Sequence, residues 1–136
     1  MDFCDRLIDL RIMLTSACDG FSTEQSNKNI ILSSRIKLLY LLSEKDMTPA
    51  ELITTLGIAK SNLANLTRQL IEEGVIENYK VLDNMRNIFY RITSRGIEEL
   101  QSYKKSLSKL FTEKYQDNLE EINICLDKIL KLLKKD

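Results

Sequence analysis

Asn62, Asn65, Arg68 and Gln69 carry the side chains in this chain best suited to reading the edge of a base. Asn and Gln present a donor beside an acceptor and can pair bidentately with adenine. Arg can do the same with guanine, and each such pair discriminates by about 1–3 kcal/mol. Immediately before them, Lys60 and Ser61 combine a cation and a hydroxyl at the start of a helical segment. Backbone N–H groups also point outward there, a setting that suits phosphate. Leu63, Leu66 and Leu70 repeat at spacings of three and four. They predict a helix that buries the leucines and turns Asn62, Asn65 and Arg68 outward, with Ser61 and Gln69 beside them. Chemistry of other kinds is thinly supplied. The 136 residues include no His for general acid–base work or metal ligation. They also hold no Gly-rich phosphate loop, nucleophile motif or Cys-x-x-Cys pair. The reading is therefore a non-enzyme with no cofactor and no metal.

The elements that must position those residues are legible on both sides. Thr48-Pro49-Ala50-Glu51 reads as a capping box with Pro at the first helical position. The helix it opens runs through Leu52 and Leu56 and stops at Gly57. The second helix starts near Lys60 and ends at Gly74. Val75 to Val81 and Ile88 to Thr93 then read as two strands, with polar Asp83-Asn84-Met85-Arg86-Asn87 between them as the tip. Helix, turn, helix and hairpin in that order make a winged helix-turn-helix, a module that commonly reads double-stranded DNA. Arg86 at the tip is the candidate for the minor groove or the backbone. Thr48 is a candidate phosphate contact, although capping alone accounts for it.

Three amphipathic segments flank this module. Phe3, Leu7, Leu10, Leu14, Ala17 and Phe21 form a narrow coiled-coil-like seam, and Gly20 to Asn27 reads as a loop. A helix over about Ile30 to Ser43 is apolar on more than one side. After Gly96, Ile97, Leu100, Tyr103, Leu107, Leu110 and Phe111 share a face. A break is expected near Asp117, and Leu119, Ile122, Leu126, Ile129 and Leu133 follow at heptad spacing. The fold class is thus mainly α (α+β): a winged helix-turn-helix with flanking N- and C-terminal dimerisation helices. Residues 1–136 read as a single domain, with the lobe at 30–93 and the dimerisation helices at 1–21 and 94–136. A second copy of the chain is the simplest partner for the seams; folding back on the same lobe is the plainer alternative.

Twenty Lys and Arg against twenty Asp and Glu give zero net charge, which weighs mildly against nucleic acid. The distribution matters more. Lys60 and Arg68 are the charges from Gly57 to Ile71, and Lys80, Arg86, Arg91 and Arg95 outnumber Asp83 from Asn78 to Gly96. No apolar run approaches the roughly 20 residues that span a bilayer, so the expectation is a cytoplasmic protein with no membrane partner. Three widely spaced cysteines argue against a disulfide framework.

The order of elements resembles the MarR family of bacterial transcriptional regulators. The resemblance rests on Gly57-Ile58-Ala59-Lys60-Ser61 entering the second helix and Leu70-Ile71-Glu72-Glu73-Gly74-Val75-Ile76 leaving it. Ile92-Thr93-Ser94-Arg95-Gly96 is similar to the family's Leu-Thr-x-x-Gly junction. The wing departs from the family's Asp-x-Arg-Asp-x-Arg pattern, keeping one Asp and one Arg and shortening by about two residues. The resemblance implies a homodimeric regulator, a repressor, on a pseudo-palindromic operator. It also implies a small-molecule effector bound between the dimerisation region and the DNA-binding lobe, where Tyr40, Tyr103, Phe111 and Tyr115 are candidates. Two alternatives stay open. Cys4 and Cys18 on the first helix, with Cys125 on the last, would serve a thiol switch, though cysteine is also a small buried hydrophobe. A winged helix can also act as a protein-interaction adaptor that never touches DNA.

Overall fold

The computed structural model describes residues 2–19, 33–81 and 84–134, in backbone alone at 16–19 and 84–86. The elements run α1 (Phe3–Asp19), α2 (Ser34–Glu44), α3 (Pro49–Leu56), α4 (Lys60–Glu72), β1 (Ile76–Val81), β2 (Asn84–Ile92), α5 (Ser94–Tyr115) and α6 (Leu119–Leu133).

Local chemistry explains most boundaries. The Ser33 side chain caps α2 by accepting from the Ile36 N–H, so the helix begins at Ser34 rather than near Ile30. The capping box of α3 is complete: Thr48 Oγ1 accepts from Glu51 N–H at 3.2 Å, and Thr48 N–H donates to Glu51 Oε1 at 3.1 Å. Gly57 ends α3 at φ 67°, its N–H donating to the Ile53 carbonyl. α4 ends in a Schellman motif in which Gly74 (φ 76°) donates to Ile71 and Val75 donates to Leu70.

Two further expectations from the sequence need correction. β2 already begins at Asn84, inside the stretch Asp83 to Asn87 read as the tip, and Asp83 lies outside the described residues. Ladder bonds come from the backbone, so a polar stretch can pair as well as an apolar one. The regular ladder runs from Ile76↔Ile92 to Lys80↔Ile88 and loses register between Lys80 and Val81, which pairs with Asn84. The helical break lies at 116–118, and Asn118 rather than Asp117 occupies the N-cap of α6, with Glu120 and Glu121 in the first turn.

The core joins Leu38, Leu39 and Leu42 of α2, Leu52 of α3, Leu63 and Leu70 of α4, Ile76 of β1, and Leu100 and Tyr103 of α5. The buried positions of α2, Ile36, Leu38, Leu39 and Leu42, cover an arc of about 160° at 3.6 residues per turn, one broad face rather than more than one side, with Lys37, Tyr40 and Glu44 exposed opposite. Met47 bridges Tyr90 through paired backbone bonds of 2.8 and 3.3 Å, so the connector between α2 and α3 adds a one-residue third strand beside β2. The exit of α4, the end of β2 and the start of α5 are joined at Thr93. Its hydroxyl donates to the Gly74 carbonyl at 2.6 Å and accepts from Gly96 N–H at 3.3 Å, while its own N–H donates to Val75 O. A Cβ at position 96 would run into the Val75 carbonyl and the Ile92 side chain.

The arms carry apolar surface. Every described side chain of α1 is exposed, Phe3, Leu7, Leu10 and Leu14 included. In α6, Leu119, Ile122 and Leu126 are half-buried, whereas Ile129, Leu130, Leu132 and Leu133 face solvent. Among the described residues no helix is long and apolar enough to cross a membrane.

Candidate nucleic-acid interface

α4 presents its polar face as its leucine period requires. Leu63, Thr67 and Leu70 are buried and Leu66 packs against the core. At 3.6 residues per turn the opposite side carries Ser61, Asn65 and Arg68 in one stripe, with Asn62 and Gln69 along one flank. All five are exposed, and so is Lys60. The centre of the outward face is therefore Ser61–Asn65–Arg68, with Asn62 set to one side of it. Thr67 is polar yet inward; its hydroxyl donates back to the carbonyls of Leu63 at 3.0 Å and Ala64 at 3.2 Å, which satisfies it without a partner outside the helix.

The two flanks of the stripe differ. Ala64, Arg68 and Ile71 line a cleft of about 310 Å³ shared with Tyr90 of β2, so this flank borders the wing. Ala59, the N-cap of α4, offers no side-chain acceptor to the first turn. Its leading N–H groups are open to an anion arriving from outside, beside Lys60 and Ser61. Thr48 differs: its hydroxyl and its N–H are both engaged with Glu51. The box holds the Glu51 carboxyl below its ordinary range, first through the Thr48 N–H and then through the Thr48 hydroxyl. Arg86 lies on the tip-proximal part of β2, and its side chain is outside the described residues.

Two groups of contacts behind this face are not legible in the sequence. Arg35 of α2 grips Glu99 of α5 with Nε and Nη2 at 2.6 and 2.7 Å and reaches Glu73, at the end of α4, with Nη1 at 2.9 Å. Its pKa is raised by those hydrogen bonds, that to Glu99 first. On the wing, Tyr79 donates its hydroxyl to Asp46 Oδ2 at 2.6 Å, and this bond, first among the causes, raises the Tyr79 pKa. No local pattern announces partners 33 to 64 residues apart; an unpaired Arg or Tyr in the sequence looks like ordinary surface.

The four aromatic effector candidates fall around two adjoining cavities. Tyr40 and Tyr103 share a cavity of about 450 Å³ with Ile36, Leu41, Leu56, Leu100 and Leu107, with Lys37 and Lys104 also in its lining. Lys104 Nζ lies 5.7 Å from the Tyr40 ring, and a hydrogen bond to Glu44 raises the Tyr40 pKa. Phe111 lines an adjoining cavity of about 790 Å³ among α1, α5 and α6, with Leu14 and Leu126, which shares Lys104 and Leu107 with the first. Tyr115 lies against Phe111, ring centroids 5.5 Å apart, and lines neither. Cys4 and Cys125 are free and exposed, whereas the Cys18 side chain is outside the described residues.

Known proteins bear out this architecture. The family described as winged helix DNA-binding domain matches residues 35–111. The transcriptional regulator AdcR of Streptococcus pneumoniae serotype 2 (strain D39 / NCTC 7466) is 34% identical over 56 residues, a match that spans 41% of this chain and 38% of that relative. Among solved structures, the multiple antibiotic resistance repressor MarR superposes with a TM-score of 0.71 at 17% identity, covering 99% of this chain and 97% of its own. NadR in complex with 4-hydroxyphenylacetate gives 0.72 at 17% identity, over 100% and 95%. With the capped helix pair, the hairpin and both arms accounted for, the chain belongs to the winged helix DNA-binding domain family and carries the fold of the MarR regulators over nearly its whole length.

Proposed function

We propose that this protein is a sequence-specific regulator of transcription, a repressor, that binds double-stranded DNA as a homodimer and is tuned by a small-molecule effector. The observation that carries the reading is the outward face of α4: Ser61, Asn65 and Arg68 in one exposed stripe on a helix anchored by Leu63, Thr67 and Leu70. Asn65 reads adenine, Arg68 reads guanine or phosphate on the wing side, and Asn62 and Gln69 reach bases on the other flank. Lys60, Ser61 and the uncapped N–H groups bind phosphate, Thr48 is a further phosphate candidate, and Arg86 toward the wing tip meets the minor groove or the backbone.

Support for the dimer is the apolar surface exposed along α1 and the second half of α6 among the described residues. Two copies place their recognition helices about 34–36 Å apart, which calls for half-sites about 10 bp apart. For the effector, the cavity at Tyr40 and Tyr103 combines apolar walls with two basic residues in its lining, Lys37 and Lys104. That combination suits a small apolar anion, the chemistry of the 4-hydroxyphenylacetate bound to NadR.

Selection from a random duplex library at about 100 mM salt tests the reading, since phosphate contacts count at that ionic strength. A pseudo-palindrome with the stated spacing is expected. Asn65→Ala and Arg68→Ala should each relax one position of the selected site by about 1–3 kcal/mol. A folded, dimeric protein that enriches no sequence moves the assignment to the adaptor.

A further inference from the structure

A two-stranded hairpin is marginal by itself and must be held by its neighbours. Here the wing's inward face, with Ile76, Tyr90 and Ile92, packs on the lobe. Alternation puts Glu77 and Tyr79 of β1 and Phe89 and Arg91 of β2 on the other face. These four form a continuous row. Tyr79 stacks on its cross-strand partner Phe89 with centroids 5.6 Å apart. The Arg91 guanidinium lies 4.8 Å from the Tyr79 centroid and donates to Glu77 at 2.8 Å.

The row ends outside the wing. Phe89 belongs to the middle strand, so the Tyr79 ring lies across β2 and delivers its hydroxyl to Asp46 on the connector between α2 and α3. The next residue, Met47, holds the backbone of β2 at Tyr90. The connector therefore grips both strands, β2 by its backbone and β1 by one side chain. It does so at Tyr79↔Phe89, one rung before the ladder loses register beyond Lys80↔Ile88. Beyond it follow Lys80↔Ile88, the register shift and the Val81↔Asn84 pair, and Arg86 belongs to this tip-proximal part of β2.

We propose that Tyr79, through its hydrogen bond to Asp46, is a positioning residue that aims the wing tip at the DNA backbone. The inference rests on the DNA-binding reading above. Tyr79 itself need touch no nucleotide. Without the hydroxyl the outer strand is free to pivot on β2, and the tip loses its phosphate contact while α4 keeps its own.

The test measures Kd against salt concentration on the selected duplex for wild type, Tyr79→Phe, Asp46→Ala, Asp46→Asn, Arg86→Ala and the Tyr79→Phe/Arg86→Ala double variant, with thermal unfolding alongside. Tyr79→Phe and Asp46→Ala should weaken binding up to about tenfold and lower the slope of log Kd against log salt by about one, the signature of one lost phosphate contact. Asp46→Asn keeps an acceptor oxygen and should restore the wild-type slope. In the Arg86→Ala background, Tyr79→Phe should add nothing. A variant that lowers the melting temperature but leaves the slope at the wild-type value overturns the proposal, as do effects of Tyr79→Phe and Arg86→Ala that multiply. Wild-type protein that binds no duplex overturns the function and this inference together; wild-type binding with Tyr79→Phe unchanged overturns this inference alone.

Discussion

Arg35 stands where α2, the end of α4 and α5 meet, and it closes all three through two carboxylates. The Glu73 carboxyl is held below the ordinary carboxylate range, chiefly by the hydrogen bond from Arg35. A carboxyl with a depressed folded pKa stabilises the fold above its ordinary value near 4.5 and loses that contribution as pH falls through the folded value. Its side chain is 42% exposed, so solvent screening keeps the effect within about 0–1 kcal/mol. Melting temperatures from pH 7 to pH 3 at low salt should therefore fall less steeply for Glu73→Gln than for wild type, with the two converging at the acid end. Legibility at this scale divides by distance along the chain. The outward placement of Asn65 and Arg68 follows from Leu63, Leu66 and Leu70, which lie within two turns of them. Arg35 and Tyr79 find partners across the fold, and nothing near them in the sequence distinguishes them from solvated side chains.

Among the elements, the helices end where their own residues dictate: Thr48 and Glu51 open α3, and Gly57 and Gly74 close α3 and α4 in the left-handed region. The wing is harder to read, because strand pairing there is decided by backbone register and not by side-chain polarity. Glycines separate these two kinds of constraint. A Cβ at position 57 would meet nothing within 4 Å, so Gly57→Ala faces only the left-handed backbone penalty of about 1 kcal/mol. Gly96 has an ordinary backbone but faces the Val75 carbonyl and Ile92. Gly96→Ala should cost about 3 kcal/mol and lower the melting temperature by roughly 10 °C, the larger loss of the two in calorimetry. The Thr-x-x-Gly spacing is visible in the sequence; that its Gly makes room for a neighbouring carbonyl is not.

For the molecule as a whole, the heptad seams separate into two parts. Leu119, Ile122 and Leu126 line the cavity shared with Leu14 and Phe111, while Ile129 and Leu133 point to solvent. The first half of α6 thus packs back on the same chain, and the exposed second half is the face that the proposed second copy would cover. Ile129→Asp combined with Leu133→Asp should shift the protein to monomer in sedimentation. It should also weaken binding to a two-half-site duplex by about a hundredfold or more, since each head then binds without the avidity of the pair. Binding to a single half-site should change little.

The Thr93 junction has a mechanical corollary. Because the exit of α4 and the origin of α5 are tied at one hydroxyl, and Arg35 ties them again through Glu73 and Glu99, recognition helix and arm turn as one lever. The arm's 22 residues make it about 33 Å long. A tilt of about 10° at its far end swings the recognition helix through about 6 Å, roughly a sixth of the distance between successive major grooves. In the proposed dimer on DNA, a slight rocking of the arms would be enough to carry α4 out of register.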